Sequence, residues 1–364
     1  MFGLVQTTSP TQSGLVELDD CPEGFTCLQN RDFGDEDETS FSIDLSLEVV
    51  DPSNSEAYVL ARNKMMQVIT GNLPPRTIAG SSDFGDCRNG PPRDSANNVR
   101  IDDVYICGLN RNIPDPDDGN IRSARVTFTR EVDNNFLAVA GEMTFDTDDI
   151  PRLVDNGTWE PVIEHEMLHI LGIGSLWDDN NLFSSTEDDF NPYTGPAANN
   201  VWQTTWGCTG SPPIRTTGRD GTRGVHWSDA CLINELMTGA INSGRENPFS
   251  ELTVGSLEDI GYTVDYSAAD EYDENDLAPG CCDGSSPIEG VPPATPDTPE
   301  LSDAARNAAI AYGRQVLNES KRPDDILDGD GDADNGGLNY VGDREIVVLV
   351  EEGGIIYDVH VTSP

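Results

Sequence analysis

His165-Glu166-Met167-Leu168-His169 constrains this chain more than any other stretch. Two imidazoles four residues apart share a face only on a helix, where both can reach one metal ion. The neighbouring Val162, Ile163, Met167, Leu168, Ile170 and Leu171 leave most of that helix apolar, so it belongs inside a core. The fold must therefore carry two histidines into its interior, where each needs a partner. The chain has only four histidines in 364 residues. At that frequency, such a pair with its glutamate arises by chance roughly 0.003 times. Zinc suits the pattern: it takes neutral imidazole nitrogens at about 2.0–2.1 Å, and a catalytic site keeps one position for water. Glu166 lies beside His165 rather than in line with it, so it can reach that water without occupying the ligand face.

A third imidazole has to come from His226 or His360. His226 follows the helix in a loop-rich region, whereas His360 lies in the C-terminal part. Eleven residues past His226 stands Met237, within Glu235-Leu236-Met237-Thr238-Gly239, which can form a turn beneath a metal.

Together, His165-Glu-x-x-His169-x-x-Gly172, the late third histidine and Met237 resemble the metzincin metallopeptidases, and within them the leishmanolysin-like branch. Ile173–Trp177, Pro192–Gly195 and Leu252–Tyr262 add to the resemblance, which spans about residues 41–265. Most metzincins place the third histidine three positions after the glycine, where this chain has Ser175; the leishmanolysin-like enzymes delay it, as His226 does. The resemblance implies zinc bound by His165, His169 and His226, with Glu166 as general base and then proton donor to the leaving amine. It makes Met237 a structural turn residue and Gly172 the turn that ends the helix. It also implies protein or peptide substrates, and a cleft bordered by the strand Leu137–Phe145.

The charge narrows the remaining choices. There are 66 acidic against 21 basic side chains, a net charge of −45, and Lys64 and Lys321 are the only lysines. Such a field repels phosphates and anionic head groups, which excludes nucleic acid and membrane surfaces as partners. No apolar run approaches the roughly 18–20 residues of a membrane span. Eight cysteines without a C-x-x-C pair point to disulfides in an oxidising compartment rather than a zinc ribbon. The adjacent Cys281 and Cys282 should bond to distant partners. Pairings of Cys87 with Cys107 and of Cys208 with Cys231 are expected, the second to steady His226. The protein is expected to be secreted, its leader lying outside this chain, because the first residues lack a basic start and an apolar stretch.

Residues 1–40 read as an irregular acidic segment. Residues 41–265 form the catalytic domain, 266–300 a Pro- and Gly-rich linker, and 301–364 a small helix–hairpin appendage. Phe41–Val49 alternates as a half-buried strand does, and Ser53-Asn-Ser-Glu56 reads as a capping box before a helix over 57–70. Strands are expected at 100–107, 121–130 and 136–145, and helices at 159–171, 253–260 and 302–317. A hairpin is expected at 345–350 and 355–361, turning at Gly353-Gly354.

The fold class expected is α/β (α+β) and metzincin-like. A twisted mixed sheet and an active-site helix stand over a loop-rich lower subdomain, with an α+β appendage. Asp328, Asp330, Asp332 and Asp334 alternate as calcium loops do, yet the sixth and twelfth positions hold Ala333 and Asn339. A calcium loop and a solvated acidic turn both stay open. The reading is a secreted zinc endopeptidase. Its rival is an extracellular adhesion or calcium-binding protein on an inactive scaffold, against which Glu166 argues. Oligomeric state is not legible.

Overall fold

A computed structural model describes residues 14–18, 21–30, 40–78, 87, 90–91, 93–112, 122–183, 192–216 and 224–283. Beyond these it describes scattered positions between 304 and 314 and the backbone of 338–340, 345–352 and 355–362. The expected helix at 302–317 lies largely outside the described residues, and Asp328, Asp330, Asp332 and Asp334 lie wholly outside them.

The chain opens with two short strands, β1 (Leu15–Glu17) and β2 (Thr26–Asn30), rather than the irregular segment expected. β2 pairs antiparallel with β3 (Ile43–Val49), and Cys21–Cys27 closes a loop of few residues between β1 and β2. Such short strands leave little periodicity to read.

Helix α1 (Ser55–Val68) follows β3, but its entry is not the capping box that Ser53 and Glu56 suggest. Asp51 accepts from the Ser53 amide and starts a single 3₁₀ turn, which delivers the chain into α1. Next come β4 (Arg76–Ile78) with β5 (Val99–Ile101), then β6 (Val104–Arg111), β7 (Arg122–Val132) and β8 (Asn135–Asp146). β6 runs parallel to both β3 and β8, and β7 and β8 form an antiparallel hairpin.

β3 is buried on both faces, not on one. Its apolar residues Ile43, Leu45 and Leu47 join the main core with α1, while the face carrying Asp44, Ser46 and Glu48 is covered as well. A second, smaller core packs Ile78, Val99 and Ile101 of the excursion between α1 and β6 against Cys107, Phe128 and Val139 of the sheet, with Cys87 and Cys107 bonded to each other. The polar side chains beneath are satisfied: Glu48 pairs with Arg111 at 2.9 Å and Ser46 accepts from Gln29 at 2.9 Å. An alternating strand signals one apolar face; it does not say whether the other is wet.

Helix α2 (Ile150–Asn156) precedes the histidine helix α3 (Trp159–Ile170), which packs on α1 and against β7 and β8. Past α3 the chain is mostly loop, as expected. It is interrupted by α4 (Pro196–Asn200), a π-helical turn at Val201–Thr205, α5 (Asp229–Leu232), β9 (Ala240–Asn242) and α6 (Glu251–Ile260). Trp177, Tyr193 and Trp227 stack with ring centroids 4.8–5.3 Å apart and hold this lobe on α6. Their polar atoms reach α6 too: Trp177 Nε1 and Tyr193 Oη donate to Ser256, and Trp227 Nε1 donates to Thr253.

Cys208 bonds to Cys282 and Cys231 to Cys281. Cys208–Cys231 does not form, which corrects the expected pairing. Residues 266–283 are thereby pinned to the lower lobe. Tyr272 adds a bond from its hydroxyl to the Leu232 carbonyl at 2.6 Å.

The C-terminal region supplies β10 (Leu338–Tyr340), β11 (Glu345–Glu352) and β12 (Ile355–Thr362). β11 and β12 form the expected hairpin, and it is continuous with the main sheet, ordered β1-β2-β3-β6-β8-β7-β11-β12-β9. β8 therefore lies inside the sheet between β6 and β7, so Leu137–Phe145 is not an edge that could border a cleft. β7 is the outer strand of that pair.

Self-repulsion from 45 net negative charges should make this fold depend on salt. The Debye length falls to about 3 Å near 1 M salt, and carboxylate repulsion falls with it. Thermal melts in 50 mM and 2 M NaCl should show the midpoint rising by at least ~5 °C. An unchanged midpoint would mean that the surface charge is already neutralised locally.

Candidate metal centre

Helix α3 brings His165 and His169 onto one face, and both are almost fully buried, as is His226. His169 Nε2 lies 3.0 Å from His165 Nε2 and 3.2 Å from His226 Nε2. Their ligand atoms all lie within 4.8 Å of one another, the one such grouping of histidine, cysteine and carboxylate donors among the described residues.

The protons can be placed from the opposite ring nitrogens. His165 Nδ1 lies 2.6 Å from the Leu236 carbonyl, and His169 Nδ1 lies 2.8 Å from the Ile173 carbonyl. A carbonyl only accepts, so Nδ1 carries the proton and a neutral ring turns a lone pair outward at Nε2. Those lone pairs converge with the His226 nitrogen in a buried space, an arrangement that repels itself unless a cation lies between them. Tetrahedral zinc with bonds of about 2.0–2.1 Å separates its ligands by about 3.3 Å, close to the spacings found. The residues fit the ion.

His226 comes from a loop some distance along the chain, and two backbone features put it there. Gly172 (φ +112°) ends α3 as expected, and Gly174 (φ +76°) completes the reversal. A Cβ on Gly174 would lie 2.1 Å from the Val225 carbonyl oxygen, so the strand of chain before His226 rests directly on that glycine. The His226 carbonyl accepts from Arg215, and the next amide, that of Trp227, donates to the Met237 carbonyl at 3.0 Å. Ser175, where a compact metzincin would place its ligand, donates instead to the His169 carbonyl at 2.5 Å. His360 sits on β12 opposite Val347, and its side chain lies outside those described.

Met237 is fully buried in the turn beneath the histidines. The residue that shapes this turn is Glu235, which sequence reasoning passed over as part of the Met-containing stretch. Its buried carboxylate accepts from the Met237 amide at 2.6 Å, from the Ser250 hydroxyl at 2.7 Å, and from Thr253. It therefore joins the Met237 turn to the start of α6, where the helix dipole also favours a negative charge. Burial raises its carboxyl, and the bonds from Thr253, Ser250 and Met237 pull it back down. A glutamate two residues before a buried turn carries no periodic signal that would have marked it.

Glu166 is fully buried beside His165. On the α1 side of α3, burial lifts the Glu164 carboxyl to about 7; Glu160 and Asp270 raise it further and Lys64 opposes them. Lys64 itself pairs with Asp270, tying α1 to the segment behind the Met237 turn.

Fold and site together define a mixed α/β protein with a buried three-histidine centre of the kind that holds a divalent metal. Residues 122–278 match the sequence pattern of the leishmanolysin family, from β7 through all three histidines and the Met237 turn to the end of the lower lobe. Over that stretch the chain is similar to the leishmanolysin metallopeptidases. Among curated proteins none matches it. Four disulfides join the described cysteines, which is consistent with an extracellular protein. No described helix is long and apolar enough to cross a membrane.

Proposed function

We propose that the protein is a secreted zinc endopeptidase in which His165, His169 and His226 bind the metal and Glu166 is the general base. The observation that carries this reading is the convergence of three imidazole nitrogens in a buried site, with two of the rings held by carbonyl acceptors in the donor-ready tautomer. A zinc ion so bound supplies a Lewis acid and makes water a nucleophile near neutral pH.

The chain's own residues do the rest. The Leu236 and Ile173 carbonyls fix two of the rings, so no reorientation is needed when the metal enters. Glu166 takes the proton of the attacking water on its carboxylate, the water oxygen bonds to the scissile carbonyl carbon, and Glu166 then returns the proton to the departing amine nitrogen. Met237 and Gly172 keep structural roles, one under the site and one at the helix exit.

Metal removal tests the reading directly. Dialysis against a zinc chelator should abolish cleavage of casein, and stoichiometric zinc should restore it with about one zinc per chain. Purified protein that retains no zinc and cleaves nothing after zinc is added would overturn it.

A further inference from the structure

β7 has neighbours along the edge that faces away from β8. Leu338–Tyr340 pair with Arg130–Phe128, and Val347–Leu349 pair with Ala124–Arg122. Both pairings are antiparallel, so the C-terminal region tracks β7 from its end back to its beginning. β12 continues outward and pairs Ile355, Ile356 and Tyr357 with Asn242, Ile241 and Ala240 of β9. Neighbouring strands lie about 4.8 Å apart, so β7 and β9 stand about 14 Å from each other with β11 and β12 between them.

Each rail is joined to an element that carries the metal centre. Val126 of β7 is paired with Gly141 of β8, and Gly141 is where Ile170 packs, one residue after His169. A Cβ there would lie 2.4 Å from the Ile170 side chain. The other rail, β9, begins three residues after Met237, in the segment whose Leu236 carbonyl holds His165. The hairpin thus runs from the strand lying over α3 to the strand that continues the Met237 turn.

We infer that the hairpin Glu345–Thr362 occupies the β7 edge that an extended peptide substrate needs, and is an intramolecular strap over the metal centre. The inference rests on the peptidase reading. The physical reason is stoichiometric: backbone amides and carbonyls on one edge of β7 can pair with one strand at a time, and an extended peptide docks by adding as such a strand. The strap is part of the same chain and so competes at a high effective concentration. Competition of this kind divides the fraction of open sites, raising KM while leaving kcat alone.

The full chain carrying Val347→Pro and Val348→Pro tests this. Successive residues of a central strand point their amides to opposite neighbours, so one of the two prolines removes a bond to β7 whichever way the alternation falls. The expected result is a KM for a peptide substrate lower by about 10-fold or more, with kcat and zinc content unchanged. A synthetic peptide of residues 345–362 should raise KM again. Equal KM in the two zinc-loaded chains overturns the strap alone; no turnover in either overturns the peptidase reading and the strap with it. If the variant does not fold, hydrogen exchange on the unaltered zinc-loaded chain decides. Binding of a hydroxamate-capped peptide, followed by its own fluorescence anisotropy, should strip protection from those of the Val347–Leu349 amides that bond to β7. Protection retained with the peptide bound overturns the strap.

Discussion

Glu166→Gln should keep zinc and lose activity, while His226→Ala should lose both. The contrast follows from what each side chain does. Glutamine preserves the shape of the buried residue beside His165 but cannot accept a proton, so kcat should fall by about 10²–10⁴-fold, the range a positioned base contributes. His226 supplies one of three converging nitrogens, 3.2 Å from His169 Nε2. Removing it leaves two ligands on one helix and an opened buried space. Zinc content after dialysis against a mild chelator, and kcat on a quenched peptide, measure the two effects separately. Full zinc occupancy in His226→Ala would remove His226 from the site.

Glu235→Ala should be the most damaging change outside the metal ligands. Its carboxylate is fully buried and receives the Met237 amide and the Ser250 and Thr253 hydroxyls. Alanine leaves those donors without an acceptor, at about 1–3 kcal/mol for each that water cannot reach. A loss of about 3–5 kcal/mol lowers Tm by about 10 °C in a domain of this size. The turn also fixes the Leu236 carbonyl against His165, and losing such an outer partner typically weakens metal affinity by about 10–100-fold. Glu235→Gln keeps one acceptor and should fall between the two. Calorimetry and competition with a zinc indicator check both parts; a zinc affinity unchanged in Glu235→Ala would confine Glu235 to a packing role.

Much of the centre was legible because its signals are short-range. A helical i, i+4 pair and an apolar helix place His165 and His169 by local geometry alone, and α3 spans almost the residues expected. Scarcity helped with His226, since few histidines were left to consider. What escaped reading depends on distant chain. Nothing in Leu137–Phe145 says that β7 will take its outer side, and nothing in Phe41–Val49 says that its polar face will be covered as well. The cysteines behaved similarly: Cys87 and Cys107 are close in the sequence, whereas Cys208 and Cys231 both bond to a distant shared dipeptide. The C-terminal hairpin was visible as a hairpin, but its partners β7 and β9 are set by tertiary packing that no periodicity encodes.

That shared dipeptide has a consequence for endurance. Cys281 and Cys282 fasten two separate points of the lower lobe, 50 and 74 residues back along the chain, to one spot. The lobe between them is mostly loop, the kind of chain that proteases nick first. On the proposed peptidase reading, copies of the protein meet one another, and the weakest loops are substrates. Cleavage requires a segment to unravel into an extended form, and two staples at one point shorten how far any loop between them can stray. A nick that did occur would leave both ends attached. On that reading the cross-links favour a long working life against self-digestion.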